Sequence, residues 1–75
     1  MTQPFRVEWS EQALTDWRRL SIDDARLVAR AVGSFPMEGI VIATGPSEYL
    51  LLVGGLAVVL VIDGDAVNVD RVRRA

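Results

Sequence analysis

Residues 49–74, which read YLLLVGGLAVVLVIDGDAVNVDRVRR, decide the fold of this chain. Apolar runs rich in β-branched residues are separated by Gly54-Gly55 and by Asp63-Gly64-Asp65. Glycine pairs and Asp-Gly steps between such runs are typical of tight hairpin turns. The stretch therefore predicts three antiparallel strands connected as a meander.

The first two strands of this meander are apolar on both faces. Alternate residues of a strand point to opposite sides, and an antiparallel sheet with one wet face would alternate apolar with polar residues. The pattern predicts that both sides of the sheet are covered. The opposed sets are Tyr49, Leu51 and Val53 against Leu50 and Leu52, and Leu56, Val58, Leu60 and Ile62 against Ala57, Val59 and Val61.

The N-terminal part of the chain predicts one strand and two helices. Residues 5–9, FRVEW, alternate apolar and charged side chains as a half-buried strand does. Ser10 is a good N-cap for a helix over residues 11–20, in which apolar residues recur at helical spacing. Ser21 with Asp23 and Asp24 predicts a second helix start, and Gly33 its end. The two helices form a hairpin.

The remaining strands complete an α+β fold. Phe35-Pro36 breaks the helical pattern, and Gly45-Pro46-Ser47 turns the chain after a strand over residues 40–44. Further strands are predicted over residues 48–53, 56–62 and 66–73. The order is β-α-α-β-β-β-β, with the helical hairpin packed on one face of a small, antiparallel-rich sheet. The hairpin is too small to cover the other face as well.

Composition restricts the function classes. The 75 residues are expected to form a single domain over residues 1–75. The net charge of −2 argues against nucleic acid as the main partner, because nucleic-acid modules usually show a basic footprint. Cysteine and histidine are both absent from the sequence, so neither a metal site nor a cofactor is expected.

The sequence also predicts a cytoplasmic protein with no membrane partner. The longest apolar run, residues 49–62, is interrupted by Gly54-Gly55 and is shorter than the ~20 residues that a membrane helix needs. Residues 1–4, MTQP, lack the charged start and apolar core of a signal peptide.

This element order, with these residues, resembles the RelE/ParE superfamily of small bacterial toxins. PFRVEWSEQALTDWRRL looks like their first strand and helix, and EYLLLVGGLAVVLVIDGDAVNVDRVRRA is similar to their C-terminal meander. The resemblance covers nearly the whole chain. It implies a RelE/ParE-like domain and an antitoxin whose helix or extended segment lies across the toxin. The matching features of the meander are Tyr49, Val53-Gly54, Val58-Val59, Asp63-Gly64-Asp65 and Val72.

The chain departs from the ribonuclease branch of that superfamily. The resemblance implies arginines on the third and fourth strands that clamp RNA phosphate, but those positions hold Leu50, Leu52 and Ala57. No cation lies between Arg30 and Arg71, and the terminal His or Tyr common in that branch is absent. Phosphodiester cleavage needs charge stabilisation and proton transfer at the phosphate. We therefore assign no catalytic residue. The gyrase-directed branch usually has longer helices than those predicted here.

Two groups of residues are candidates for binding. The first is an apolar surface, with Trp9 as a further anchor because Trp is enriched at binding hot spots. The second is a C-terminal arginine cluster, which either contacts phosphate or an acidic partner, or is a solvated group that balances Asp70 and protects an edge strand. The apolar residues are Leu50, Leu52, Ala57, Val59 and Val61, and the cluster is Arg71, Arg73 and Arg74. The alternation does not determine which of the two opposed sets of strand residues faces the helices.

Three functions are compatible with the sequence. The preferred one is a RelE/ParE-like toxin of a bacterial toxin–antitoxin system that acts by protein binding and is neutralised by an antitoxin. The second is a non-toxic interaction module of the same fold, which forms a homodimer or binds another protein through the apolar face. The third is a minimal ribonuclease that uses Arg71, Arg73 or Arg74 together with Tyr49.

Overall fold

The structure is a computed structural model that describes residues 5–75, so residues 1–4, which bear on the signal-peptide expectation, lie outside the described residues. The element order matches the prediction, and the predicted bounds differ by no more than two residues. None of the helices within residues 5–75 is long and apolar enough to cross a membrane. The elements are β1 (Arg6–Trp9), α1 (Glu11–Arg18), α2 (Ile22–Gly33), β2 (Ile40–Ala43), β3 (Glu48–Val53), β4 (Leu56–Asp63) and β5 (Ala66–Arg74).

The five strands form one mixed sheet in the order β1-β5-β4-β3-β2. Successive strands from β2 to β5 pair antiparallel with one another, whereas β1 pairs in parallel with β5. The two helices carry the chain from β1 at one edge of the sheet to β2 at the other edge. They therefore lie across a single face, as the sequence predicted.

Tight turns close the two hairpins of the meander. Val53 pairs with Leu56 across Gly54-Gly55, whose φ angles are 56° and 78°. Positive φ at both central residues is the pattern of a type I′ turn, which matches the twist of the flanking strands. Asp63 pairs with Ala66 across the second turn.

The core lies between the helices and one face of the sheet. Its side chains are mostly Val, Leu and Ala, and each fully buried Val or Leu stabilises the fold by about 1.5–3 kcal/mol. The small residues on the helices let them approach the strands closely. The cluster consists of Ala13, Val28, Ala31, Val32, Phe35, Leu51, Leu56, Val58, Leu60, Val67, Val69 and Val72.

Trp17 connects the two helices to the sheet. Its indole Nε1 donates a hydrogen bond to the carbonyl oxygen of Ala25 at 2.9 Å, which ties α1 to α2. Its ring packs edge to face on Trp9, with 6.0 Å between ring centroids. A buried indole N–H usually needs such a partner, so this contact fixes the angle of the helical hairpin on the sheet.

Ser10 joins β1, α1 and β5. Its backbone N–H donates to the carbonyl oxygen of Val69, and its hydroxyl donates to that of Asp70 at 2.9 Å. The same hydroxyl oxygen accepts from the backbone N–H of Ala13 and so caps α1, as predicted from the sequence. Since β1 ends at Trp9, α1 takes over beside the second half of β5 and covers its outer edge.

Gly54 and Gly55 offer a matched pair of substitutions that tests how closely α2 approaches the β3–β4 turn. Both have positive φ, so alanine at either position costs about 1–2 kcal/mol of backbone strain. A methyl group at Gly54 would also collide with Leu27 Cδ2, whereas at Gly55 it would meet nothing within 4 Å. We expect Gly54→Ala to lower the free energy of unfolding by about 1 kcal/mol more than Gly55→Ala does, measured by urea denaturation.

A double-mutant cycle supplies the control for this prediction. Leu27→Ala removes the side chain that Gly54→Ala would strike, so the cost of Gly54→Ala should fall in that background. Equal costs in the two backgrounds would contradict the close approach.

Candidate functional site

The face of the sheet opposite the helices carries apolar side chains. Residues paired across neighbouring strands share a face, so the strand register identifies its members. Ile42 pairs with Leu50 and Leu50 with Val59, and Ile40, Leu52 and Ala57 form the next row. None of these residues belongs to the core cluster under the helices. We call this surface the open face, and its residues are Ile40, Ile42, Leu50, Leu52, Ala57, Val59 and Val61.

The structure brings together all five residues that were predicted from the meander, although Ala57 itself is only 5% exposed. Two residues that the sequence analysis missed extend the surface to the edge strand β2. These are Ile40 and Ile42, whose side chains are 64% and 43% exposed. Their alternation around Val41 was the available signal, because antiparallel pairing with β3 places them beside Leu52 and Leu50. The predicted set is Leu50, Leu52, Ala57, Val59 and Val61.

Trp9 was predicted to join this set, but it lies on the other side of the sheet. It pairs with Val69 of the core, and its ring packs on Trp17 of α1. The period of the strand gives the reason: Val7 and Trp9 belong to the apolar side of β1, which faces the helices. Trp9 therefore contributes to packing between sheet and helix and not to the open face.

The arginine cluster is divided between the two sides of the sheet. Arg71 pairs with Val59 and Arg73 with Ala57, so both border the open face along β5. Arg74 pairs instead with Leu56, a core residue. Only two of the three predicted arginines therefore adjoin the apolar surface.

Arg71 is held within the chain by Asp16. Its Nε donates to Asp16 Oδ2 at 2.9 Å, and the same oxygen accepts from the backbone N–H of Val72 at 3.1 Å. These hydrogen bonds lower the pKa of Asp16 to about 2, and the bond from Arg71 has the larger effect. The carboxylate is 9% exposed and the guanidinium 49%. Arg71 thus fixes α1 to β5. Its ion-pair partner is Asp16, whereas the sequence suggested that the arginine cluster balances the charge of Asp70.

Tyr49 lies on the opposite side of the sheet from Arg71 and Arg73. It pairs with Leu60 of the core, and its ring packs edge to face on Phe35 at 6.2 Å. The sheet therefore separates Tyr49 from Arg71 and Arg73. Arg74 lies on the same side as Tyr49 but is displaced along β4, since it pairs with Leu56 and Tyr49 pairs with Leu60. Within residues 5–75 there is no pocket, and no three His, Cys, Asp or Glu side chains come together as possible metal ligands.

Solved structures of toxin–antitoxin complexes have the same fold. The chain is similar to a chain of the RelBE2 complex from Mycobacterium tuberculosis, with a TM-score of 0.75, 16% identity, and coverage of 96% of this chain and 99% of that chain. For the intact Escherichia coli RelBE complex the TM-score is 0.68 and the identity 23%, over 95% and 96% of the two chains. For the RelB–RelE complex from Methanococcus jannaschii the TM-score is 0.68 and the identity 13%, with coverage of 89% of this chain and 88% of that chain.

No protein-family model matches the sequence, and no curated protein matches it. The structural neighbours are RelE toxins, so the predicted RelE/ParE-like α+β fold is confirmed. Because the identities lie between 13% and 23%, the likeness shows the fold alone.

The Asp16–Arg71 pair predicts a specific dependence of stability on pH. The pKa of Asp16 falls from 3.8 to about 2 on folding, so its ionised form stabilises the fold fully above pH 3.8 and loses that effect as the pH falls through 2. We expect the difference in unfolding free energy between the wild type and Asp16→Asn to be constant above about pH 5 and to shrink between about pH 4 and 2. Chemical denaturation across this range measures it.

Arg71→Gln is the companion variant. It removes the larger cause of the pKa shift and leaves the backbone hydrogen bond from Val72 in place. This variant should therefore show a weaker pH dependence than the wild type over the same range. The same pH profile in the wild type and in Asp16→Asn would show that the pair does not act in solution.

Proposed function

We propose that this chain is the toxin component of a bacterial toxin–antitoxin system, that it acts by protein binding and not as a ribonuclease, and that an antitoxin neutralises it by covering the open face. The component class is supported by the fold, which is that of RelE toxins in toxin–antitoxin complexes. The mode of action rests on one observation: the face of the sheet opposite the helices is apolar where a nuclease needs cations.

Uncovered apolar area supports a protein partner. Monomeric proteins rarely expose large contiguous apolar patches, and those that they do expose often mark interaction sites. The open face spans three adjacent strands, and Ile40 and Ile42 are its most exposed residues. An amphipathic helix or an extended segment would bury these side chains in a familiar recognition mode. The polar rim that such an interface needs is present along β5.

The chemistry of the open face supports the absence of nuclease activity. Leu50, Leu52 and Ala57 occupy the positions where the resemblance implies phosphate-binding arginines, and all three lie on this face. Arg71, which borders it, is already paired with Asp16. Charge stabilisation and proton transfer must meet at one phosphate. Tyr49 is on the other side of the sheet from Arg71 and Arg73, and Arg74 is two strands and four residues away from it.

Expression of the chain alone in a bacterial host tests the toxin proposal. We expect growth arrest that is relieved when the product of the neighbouring reading frame is co-expressed, with the cellular RNA intact during the arrest. Growth curves and RNA electrophoresis measure these outcomes. Unimpaired growth at high soluble expression would contradict the toxin proposal and favour the non-toxic interaction module. RNA cleavage that disappears in Arg73→Ala would contradict the non-ribonuclease mode.

The open face is tested separately with Val59→Glu. This variant should fold, because Val59 lies outside the core cluster, but a charge in the buried centre of an interface should weaken binding of the neighbour-encoded partner by about 2 kcal/mol or more. Circular dichroism and calorimetric titration measure folding and binding.

Two matched variants serve as controls for Val59→Glu. Ala29→Glu introduces the same charge on the exposed surface of α2 and should leave binding unchanged. Val58→Glu places the charge one residue away but inside the core, where Val58 is fully buried, and should unfold the chain. Full binding by a folded Val59→Glu would remove the open face from the partner interface.

A further inference from the structure

The open face carries a positive and a negative side chain at positions that would face each other if two copies of the face were placed together. Arg73 on β5 pairs with Ala57, which precedes Val59 by two residues on β4. Glu48 on β3 pairs with Val61, which follows Val59 by two residues. Each charge therefore lies one strand and two residues from Val59, in opposite directions. Strand spacing and rise place the two Cα atoms ~17 Å apart, with Val59 at the midpoint.

Both charges are available to a partner. Arg73 and Glu48 are exposed, and neither belongs to an ion pair within residues 5–75. Arg71, which also borders the open face, is held by Asp16. Arg73 and Glu48 thus place a cation and an anion at diagonally opposite corners of the surface around Val59.

We propose that a second copy of this chain covers the open face and forms a face-to-face dimer whose two-fold axis passes over Val59. A half-turn about an axis that lies between the two sheets, perpendicular to the line from Arg73 to Glu48, exchanges these two positions. Arg73 of each copy then lies opposite Glu48 of the other copy, so the dimer contains two such pairs. The same axis runs over Ile40, whose exposed side chain packs on its counterpart.

The area of the surface fits a small stable dimer. The open face together with its border on β5 spans four strands, β2 to β5. At a spacing of about 4.8 Å and roughly six residues per strand they give about 400 Å² in projection and, with side-chain relief, about 600 Å² of accessible surface per copy. Two copies together would bury about 1,200 Å², the lower end of the range for specific interfaces. The strands of the two sheets cross steeply, as in the orthogonal class of sheet packing.

This dimer goes beyond the proposed function and does not depend on it. A second copy and an antitoxin would occupy the same surface and exclude each other. A monomeric chain that binds its neighbour-encoded partner would overturn the dimer and leave the proposed function intact. A chain that dimerises but is not toxic would overturn the proposed function and leave the dimer intact.

Sedimentation equilibrium of the purified chain, wild type and variants, tests the dimer. We expect the wild type to dimerise, and we expect Arg73→Glu and Glu48→Arg each to raise the dissociation constant about tenfold, because two like-charge pairs replace two opposite-charge pairs. The double variant Arg73→Glu/Glu48→Arg restores both pairs, so its dissociation constant should return to within about threefold of the wild-type value.

Arg74→Glu is the matched control. It makes the same change of charge on the next residue, which pairs with Leu56 outside the open face, and it should leave the dissociation constant within about threefold of wild type. Circular dichroism confirms that each variant is folded. A monomeric wild type, single variants no weaker than Arg74→Glu, or a double variant without rescue would each overturn the proposal.

Discussion

Between residues 5 and 75, a five-stranded sheet that is apolar on both faces is covered by only two short helices, and the other features follow from this constraint. α1 contributes Ala13 to the core, and α2 contributes Val28, Ala31 and Val32. These small side chains let the helices approach the strands, but they cover one face alone. Burial of apolar area stabilises a protein by about 25 cal/mol per Å², so any group that covered the other face would add to the stability.

A bulge in β5 determines which side chains reach the open face. Leu60 of β4 pairs with Val69, but the preceding Val59 pairs with Arg71, so Asp70 is an extra residue in β5. The extra residue reverses the alternation. Val72 therefore returns to the core, and Arg71 moves to the side of Val59. Without the bulge, a continued period of two would turn Arg71 towards the helices and Val72 towards the open face.

Local patterns in the sequence predicted the strands, turns and caps and the two apolar faces of the sheet, because each depends on residues close together in the chain. Which face the helices cover could not be predicted, because it depends on contacts between the helices and distant strands. The contacts that could not be predicted join distant residues. Asp16 and Arg71 are 55 residues apart, and nothing near either one indicates the other. The spacing of Val67, Val69 and Val72 did contain a signal for the bulge. Because the bulge was not predicted, Arg71, Arg73 and Arg74 were treated as one cluster, whereas the fold places Arg74 on the other side of the sheet. Trp9 was assigned to the wrong side of the sheet because the sequence did not reveal that β1 pairs with β5, where Trp9 lies beside the core residue Val69.

The parallel pairing of β1 with β5 also bears on how the chain folds during synthesis. Residues of β1 and the start of α1 meet their partners in β5 about 60 positions later, as Ser10 meets Asp70. A ribosome adding 5–20 residues per second needs about 3–12 seconds to make that stretch. Until then β1 lacks the strand beside it and α1 lacks the edge on which it packs. Completion of the sheet therefore waits for the last strand.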